Sequence, residues 1–335
     1  MVTGIGVAVA LPPELTATRA VTLWRWDPVA IVLVLIAAGL YGWGMWRVWR
    51  RHPRRPWPAL RAASFYAGLA VVTVALCSSV GVYQDTLFWV HMVQHLMLIM
   101  VAPALLVVGR PLILLLHASR NPVHTAVKRI LRSRPVTVLT CPLVGVPVYA
   151  AAVVATHLTG FMNVVITNPW AQTGEHALYL IAGWLYLAPG FGREPIRWRL
   201  SPPAKILLVV LAMPIDTFTG VVLLMTRHEP WSAYLDQHRS WGPTPLTDVH
   251  WGGAVMWIGA DAVMMVLIVA ALFSWLAAPR RERGLRWVEQ ARLTALEQRT
   301  GTATTGHTDV DEDEQRLAAY NDWLASMARH DDRRR

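Results

Sequence analysis

His91 and His95 stand four residues apart in the apolar stretch His91-Met-Val-Gln-His95. On a helix that spacing puts both imidazoles on one face, where two of them can bind one metal ion. His157, His176, His228, His238 and His250 also fall at the ends of apolar runs or in the loops joining them, all on the same side of a membrane by the charge pattern given below. His52, His117 and His124 fall on the other side, and His307 and His330 in the C-terminal tail. Imidazole suits copper and zinc among other metals, whereas methionine and thiolate select Cu(I). Met92 and Met162 lie at the level of these histidines, and Cys77 is near it. Interfacial histidines also bond to water and headgroups, and most methionines are packing, so the spacing alone leaves a structural role open.

A second group of residues lies deeper. Asp216 is about ten residues below the end of its apolar run, and Asp261 is eleven residues below His250. At 1.5 Å per residue both are about 15 Å down, near mid-membrane. Eleven residues is close to three turns, so His250 and Asp261 are expected on one helix face. Met213 precedes Asp216 by three and Met265 follows Asp261 by four, which gives each aspartate a methionine on its own face. Ionisable groups at that depth are costly and usually face the bundle interior. One reading is a deeper metal site or relay; the other is a protonated aspartate bonded to a neighbouring helix. Pro103, Pro142, Pro147 and Pro214 interrupt or bend the helices.

The elements that must hold these residues are membrane helices. Hydrophobic residues make up 54% of the 335 and charged ones 16%, against about 25% charged in a soluble protein. Seventeen tryptophans suit membrane–water interfaces. A disordered chain is excluded, and two cysteines exclude a disulfide scaffold or a Cys-rich zinc module. Cys77 and Cys141 fall near opposite ends of their helices and do not pair. A span needs about 20 apolar residues. The runs bounded by charge are 27–47, 61–85, 85–110, 134–175, 175–193, 205–227 and 248–280, the last two interrupted by Asp216 and Asp261. The fourth is read as one helix, about 136–157, followed by an apolar loop. The fold class is all-α, a polytopic membrane protein with seven transmembrane helices.

The net charge of +10 is concentrated in alternate connections. Arg47, Arg50, Arg51, Arg54, Arg55 and Arg61 fill the first; Arg110, Arg120, Lys128, Arg129, Arg132 and Arg134 the third; Arg193, Arg197, Arg199 and Lys205 the fifth. Arg280, Arg281, Arg283 and Arg286 follow the seventh helix, and the other connections are nearly empty. Basic loops stay in the cytoplasm, so the N-terminus is expected outside and the C-terminus inside. The charge is thus a topology signal and a contact for anionic membrane lipids, not a nucleic-acid surface. Residues 1–27 form an extracytoplasmic segment without a signal-peptide pattern, and residues 28–279 the membrane domain. Residues 280–335 form a charged cytoplasmic tail. There an acidic run over 309–314 precedes Leu317, Tyr320, Leu324 and Met327, a stripe that reads as a short amphipathic helix. Docking on the membrane surface and on a partner are both open for it. No repeat of fixed period is present.

In four further places the order and spacing of residues are specific. The first is His91-Met-Val-Gln-His95 running through Ala102-Pro103 to Gly109-Arg110-Pro111. Thr156-His157-Leu158 follows, then Glu175-His176-Ala177-Leu178 beyond a loop. The third is Met213-Pro214-Ile215-Asp216-Thr217-Phe218, and the fourth is Asp248-Val249-His250-Trp251-Gly252-Gly253 through Trp257 to Asp261. At these motifs the chain resembles the CtaG family of cytochrome c oxidase assembly proteins, the seven-helix type linked to caa-type oxidases. The segment Arg316-Leu317 to Trp323-Leu324-Ala325 is similar to actinobacterial-type members. The resemblance implies a non-catalytic role in maturing a haem–copper oxidase in the bacterial cell membrane, by supplying copper to it. It implies metal binding at His91, His95, His157, His176 and His250, and oxidase subunits as partners. The single-span assembly factor of the same name carries a Cys-x-Cys copper motif, which this sequence lacks. Some members are fused to a copper-resistance membrane domain; here an upstream copper source is expected to be a separate chain.

Two other classes stay open. A metal transporter would use the outer histidines for uptake and Asp216 and Asp261 for passage, although the inner loops show no Cys-x-x-Cys or dense histidine cluster. A haem-binding electron carrier would need ligands from facing helices, and His91 and His95 share one face of one helix. No nucleophile–base grouping or nucleotide loop argues for an enzyme.

Overall fold

The computed structural model describes residues 11–54, 56–192, 195–198 and 200–276. There is no strand among them. The principal helices are α1 (Pro28–Arg51), α2 (Ala59–Cys77), α3 (Phe88–Ala118), α4 (Pro142–His157), α5 (Phe161–Thr167), α6 (Pro169–Phe191), α7 (Pro202–Met225) and α8 (Pro245–Leu276). Proline opens α1, α4, α6, α7 and α8. In the first turn its missing N–H has no helical partner to lose, and its fixed φ is already helical. Asp27 caps α1 by accepting the Ala30 N–H at 3.0 Å, and Asn168 caps α6 through the Trp170 N–H at 2.9 Å.

Five helices are long and apolar enough to cross a membrane, or six if α4 and α5, bent by 74°, form one broken span. The sequence predicts seven. The remaining run is α6, whose 23 residues suffice in length, but whose first turns carry Gln172, Thr173, Glu175 and His176. Its polarity is concentrated at the end where the histidines were expected to gather. The stretch 158–171, expected as a loop, is helical over Phe161–Thr167, and α6 begins at Pro169, six residues before the charge boundary at Glu175.

The chain divides into two units, Met1–Leu272 and Phe273–Arg335. The expected cytoplasmic tail over 280–335, with its Leu317–Met327 stripe, lies outside the described residues, as does the start of the segment 1–27. In the first unit the outward faces are apolar: Leu33, Leu35 and Ile36 of α1 and Leu207, Leu211 and Phe218 of α7 are exposed, as on a lipid-facing surface. Met92, Leu98, Met100, Tyr149, Met162, Tyr179 and Tyr186 are buried inside.

Helices α3 and α6 meet at a break in α3. Pro103 has no N–H to give to the carbonyl of Ile99, four residues back, and the helix widens into a π turn over Met97–Val101. Gly183 of α6 sits against that carbonyl, and a Cβ there would overlap the Ile99 oxygen. Only glycine lets the backbones come so close. The contact fixes how α6 is rotated against α3, and hence which side of its polar end faces His91 and His95. A second π turn, Val255–Gly259, lies in α8. It falls between His250 and Asp261 and widens one turn, so the three-turn register that would align those two residues does not hold.

Candidate metal centre

The first two turns of α3 carry His91 and His95, and α6 brings Glu175 against them. All three are buried, with side chains 0–5% exposed. Oε2 of Glu175 is 3.5 Å from Nε2 of His91 and 3.5 Å from Nε2 of His95, and one donor atom from each residue lies within 4.8 Å of the others. Two donors each about 2.1 Å from one tetrahedral ion would stand about 3.4 Å apart. Both nitrogens of His91, Nε2 of His95 and both oxygens of Glu175 are buried without a hydrogen-bond partner among the described residues. Polar atoms left so cost free energy unless something binds them. Two imidazoles and a carboxylate converging on one point fit a divalent copper, zinc or iron ion.

The surroundings set the state of His95. Nδ1 of His157 is 2.8 Å from the carbonyl of Val153, which can only accept. That nitrogen therefore carries a proton, and in a neutral ring Nε2 of His157 is an acceptor. It lies 3.1 Å from Nδ1 of His95, so Nδ1 of His95 donates to it. The lone pair of His95 is then on Nε2, facing Glu175. The Tyr179 ring stacks on His95 at 4.1 Å between centroids, and its hydroxyl bonds Thr156 at 2.5 Å. His157 stands behind His95, orienting it, and does not face Glu175.

The other two histidines expected as ligands are engaged elsewhere. Nε2 of His176 lies 3.3 Å from Oε1 of Gln84 and 3.2 Å from Oε1 of Gln94, and Gln94 is held by its own donation to the Ala75 carbonyl at 2.8 Å. Nε2 of His250 is 3.0 Å from the carbonyl of Thr226, at the end of α7. Glu175 is the residue that sequence reasoning passed over as a ligand, taking it as the charge that ends an apolar run and as the neighbour of His176 in its motif. Its signal was there: an acidic residue beside a histidine in a stretch otherwise free of charge.

Below His95 and His157 is a cavity of about 20 Å³, lined among others by Met92, Met100, Met256, Tyr149 and Asp216. The Tyr149 hydroxyl bonds both carboxylate oxygens of Asp216, at 2.8 and 3.0 Å. Asp216 thus joins the cluster's surroundings, but Asp261 does not line this cavity. The methionines that line it are Met92, Met100 and Met256, whereas Met213 packs against the core and Met265 is 53% exposed. Near the start of α6, Asp85 accepts from the Gln172 side chain and pairs with Arg25 at 3.5 Å. Burial pushes the Asp85 carboxyl above the usual carboxylate range, against the pull of His91, Arg25 and Gln172. A cleft of about 780 Å³ opens beside Asp85 and Gln172, one helical turn from Glu175.

This is an all-helical membrane protein with a buried two-histidine, one-carboxylate cluster at one end of its bundle. The chain belongs to the family of cytochrome c oxidase caa3 assembly factors, Caa3_CtaG, whose family model matches residues 39–278. It is similar to the uncharacterized protein Mb0105 of Mycobacterium bovis, 27% identical over 327 residues that make up 95% of this chain and 46% of that protein. The uncharacterized protein ML1998 of Mycobacterium leprae is 24% identical over 333 residues, 97% of this chain and 47% of that protein. The chain spans about half the length of the curated relatives it matches. No solved structure matches it.

Proposed function

We propose that the chain binds copper as cargo at His91, His95 and Glu175, on the extracytoplasmic side of a bacterial cell membrane, and hands it to a caa3-type haem–copper oxidase during assembly. It acts as a chaperone towards the oxidase subunits and performs no catalysis of its own. The observation that carries this reading is the set of five buried, unpartnered polar atoms on three side chains, at separations one ion would bridge. Membership of the assembly-factor family supplies the recipient. His91 and His95 supply nitrogens, Glu175 offsets the charge of the ion, and His157 holds the tautomer of His95. Copper is favoured over zinc or iron because it can use both donor types, imidazole and carboxylate in the cluster as Cu(II) and the thioethers of Met92, Met100 and Met256, which line the cavity below, as Cu(I). Asp216, on the same cavity, serves as the deeper station or relay, with less support for Met213, Asp261 and Met265. His176 and His250 would have to give up their present bonds to act as ligands. The topology that suits this reading counts α6 as a seventh span, with the N-terminus outside and the C-terminus in the cytoplasm.

A second reading, passage of the ion across the membrane, draws on the same cavity, because an ion leaving the cluster inward would next meet Asp216. Copper uptake into sealed vesicles separates the two. The main test is the double variant His91→Ala/His95→Ala. Copper content of the purified protein and oxidase activity of the cells should both fall while the protein stays in the membrane at its normal level. Unchanged copper stoichiometry would refute the assignment.

A further inference from the structure

Far along α3 from the histidines, its last segment, Pro111–Ala118, packs beside α1 and leaves an apolar groove of about 260 Å³. Leu40, Tyr41, Trp43, Phe65, Leu114 and Leu115 contribute to its walls. Leu40, Trp43 and Leu115 are exposed, so the groove opens outward, where the bilayer would lie. Gly44 and Ala118 belong to the same lining, and Arg47 and Arg51 follow Gly44 by one and two turns on α1.

These arginines form a cationic cluster. Nη1 of Arg51 donates to the carbonyl of His117 at 3.1 Å, which ties the guanidinium to the end of Pro111–Ala118. Its Nη2 is buried and has no hydrogen-bond partner among the described residues. Arg47 and Arg120 are close enough to repel Arg51. Arg47 also lies over the Trp43 ring, 4.9 Å from its centroid, and Trp57 donates to the Tyr41 hydroxyl at 2.8 Å. Tryptophans beside arginines mark the level of the membrane–water interface. Like charges gathered around a partly buried donor are unfavourable unless an anion sits among them. The planar guanidinium fork matches phosphate oxygens.

We propose that this groove binds an anionic phospholipid, with one acyl chain between α1 and Pro111–Ala118 and the phosphate on Arg51, Arg47 and Arg120. The chemistry is complementary at both ends: the walls are apolar where the chain would lie, and Arg51, tied to the end of Pro111–Ala118, has a donor to spare, with Arg47 over the Trp43 ring of the groove wall and Arg120 two residues beyond Ala118. The site is independent of the copper reading and lies at the other end of α3.

Native mass spectrometry of the full-length protein in detergent tests it, with phosphatidylglycerol and phosphatidylcholine of equal chain length as probes. The unmodified protein should bind phosphatidylglycerol at least about tenfold more tightly. Arg51→Gln with Arg120→Gln should abolish that preference. Ala37→Trp, which fills the groove and leaves the cations in place, should weaken phosphatidylglycerol by a similar factor. Equal binding of the two lipids, or a preference that survives the double glutamine variant, overturns the proposal. Binding untouched by Ala37→Trp also overturns it, because the attraction would then need no groove. The two variants act on different halves of the lipid, so a folding defect in one leaves the other as the test.

Discussion

Replacing Glu175 with leucine separates a metal site from a structural ion pair, because the two predict opposite signs. If Glu175 faces two neutral imidazoles, the metal-free protein carries two carboxylate oxygens with no hydrogen-bond partner among the described residues. An unpaired buried polar atom costs about 1–3 kcal/mol, so removing two relieves about 2–6 kcal/mol. Exchanges of whole buried ion pairs for apolar groups of similar volume yield about 1–4 kcal/mol, and here only one group is exchanged. The lower range applies here, since Nε2 of His91 and of His95 stays unpartnered in the variant. If Glu175 instead balances a buried imidazolium, removing it leaves an uncompensated charge and costs about 3–5 kcal/mol. The assay is chemical or thermal unfolding of metal-depleted protein in detergent, repeated with copper added back. Metal-free Glu175→Leu should be the more stable form, and copper should no longer stabilise it. The unmodified protein should gain about 2.7 kcal/mol at a free copper concentration 100 times the Kd. Destabilisation of the metal-free variant by about 3 kcal/mol or more, or equal copper stabilisation of both proteins, would refute the reasoning.

His157→Leu should lower copper affinity by about 10–100-fold through the orientation of His95. His157→Gln, which can still accept from Nδ1 of His95, should retain most of it in a chelator-competition titration; equal losses would dismiss the positioning role. Gly183→Ala should push α6 away from the Ile99 carbonyl and cost about 1–3 kcal/mol or more. This would be read as a lower unfolding midpoint, with Gly174→Ala on the same helix, where a Cβ meets nothing, as the neutral control. In the loop after α7, burial pushes the Glu229 carboxyl up from its ordinary 4.5 to about 7, with Asp248 adding to the shift and the Trp231 N–H and Arg239 opposing it. The folded-state value is the raised one, so the protein loses stability as pH climbs from about 4.5 to about 7 and levels off above. Glu229→Gln should flatten that loss, by on the order of 1–2 kcal/mol for a half-exposed group screened by solvent, measured as unfolding midpoints at pH 5 and pH 8.

Much of the bundle was legible because it is written locally. Charge-bounded apolar runs located the long helices, including α6 with its polar first turns, but not α5, which falls where a loop was expected. The shared face of His91 and His95 follows from a four-residue interval on one helix, and no tertiary contact is needed to state it. Which residues from other helices meet that pair depends on helix rotation, which no interval within one run encodes. Glu175 and His176 are neighbours about 100° apart around α6, so only one of them can face the pair. Gly183 against the Ile99 carbonyl, at the π turn that Pro103 imposes, decides for Glu175 and turns His176 towards Gln84 and Gln94. His157 was found as a residue but not in its role, because the role rests on a 3.1 Å approach to His95 and a proton fixed by the Val153 carbonyl. The aspartates divide for the same kind of reason. Asp216 reaches the cavity beneath the cluster, while the wide turn at Val255–Gly259 breaks the register that would have carried Asp261 below His250. The sequence determined most of the long helices and which side chains share a face on each. The packing of backbone on backbone, at a glycine and two π turns, decided which of those side chains meet.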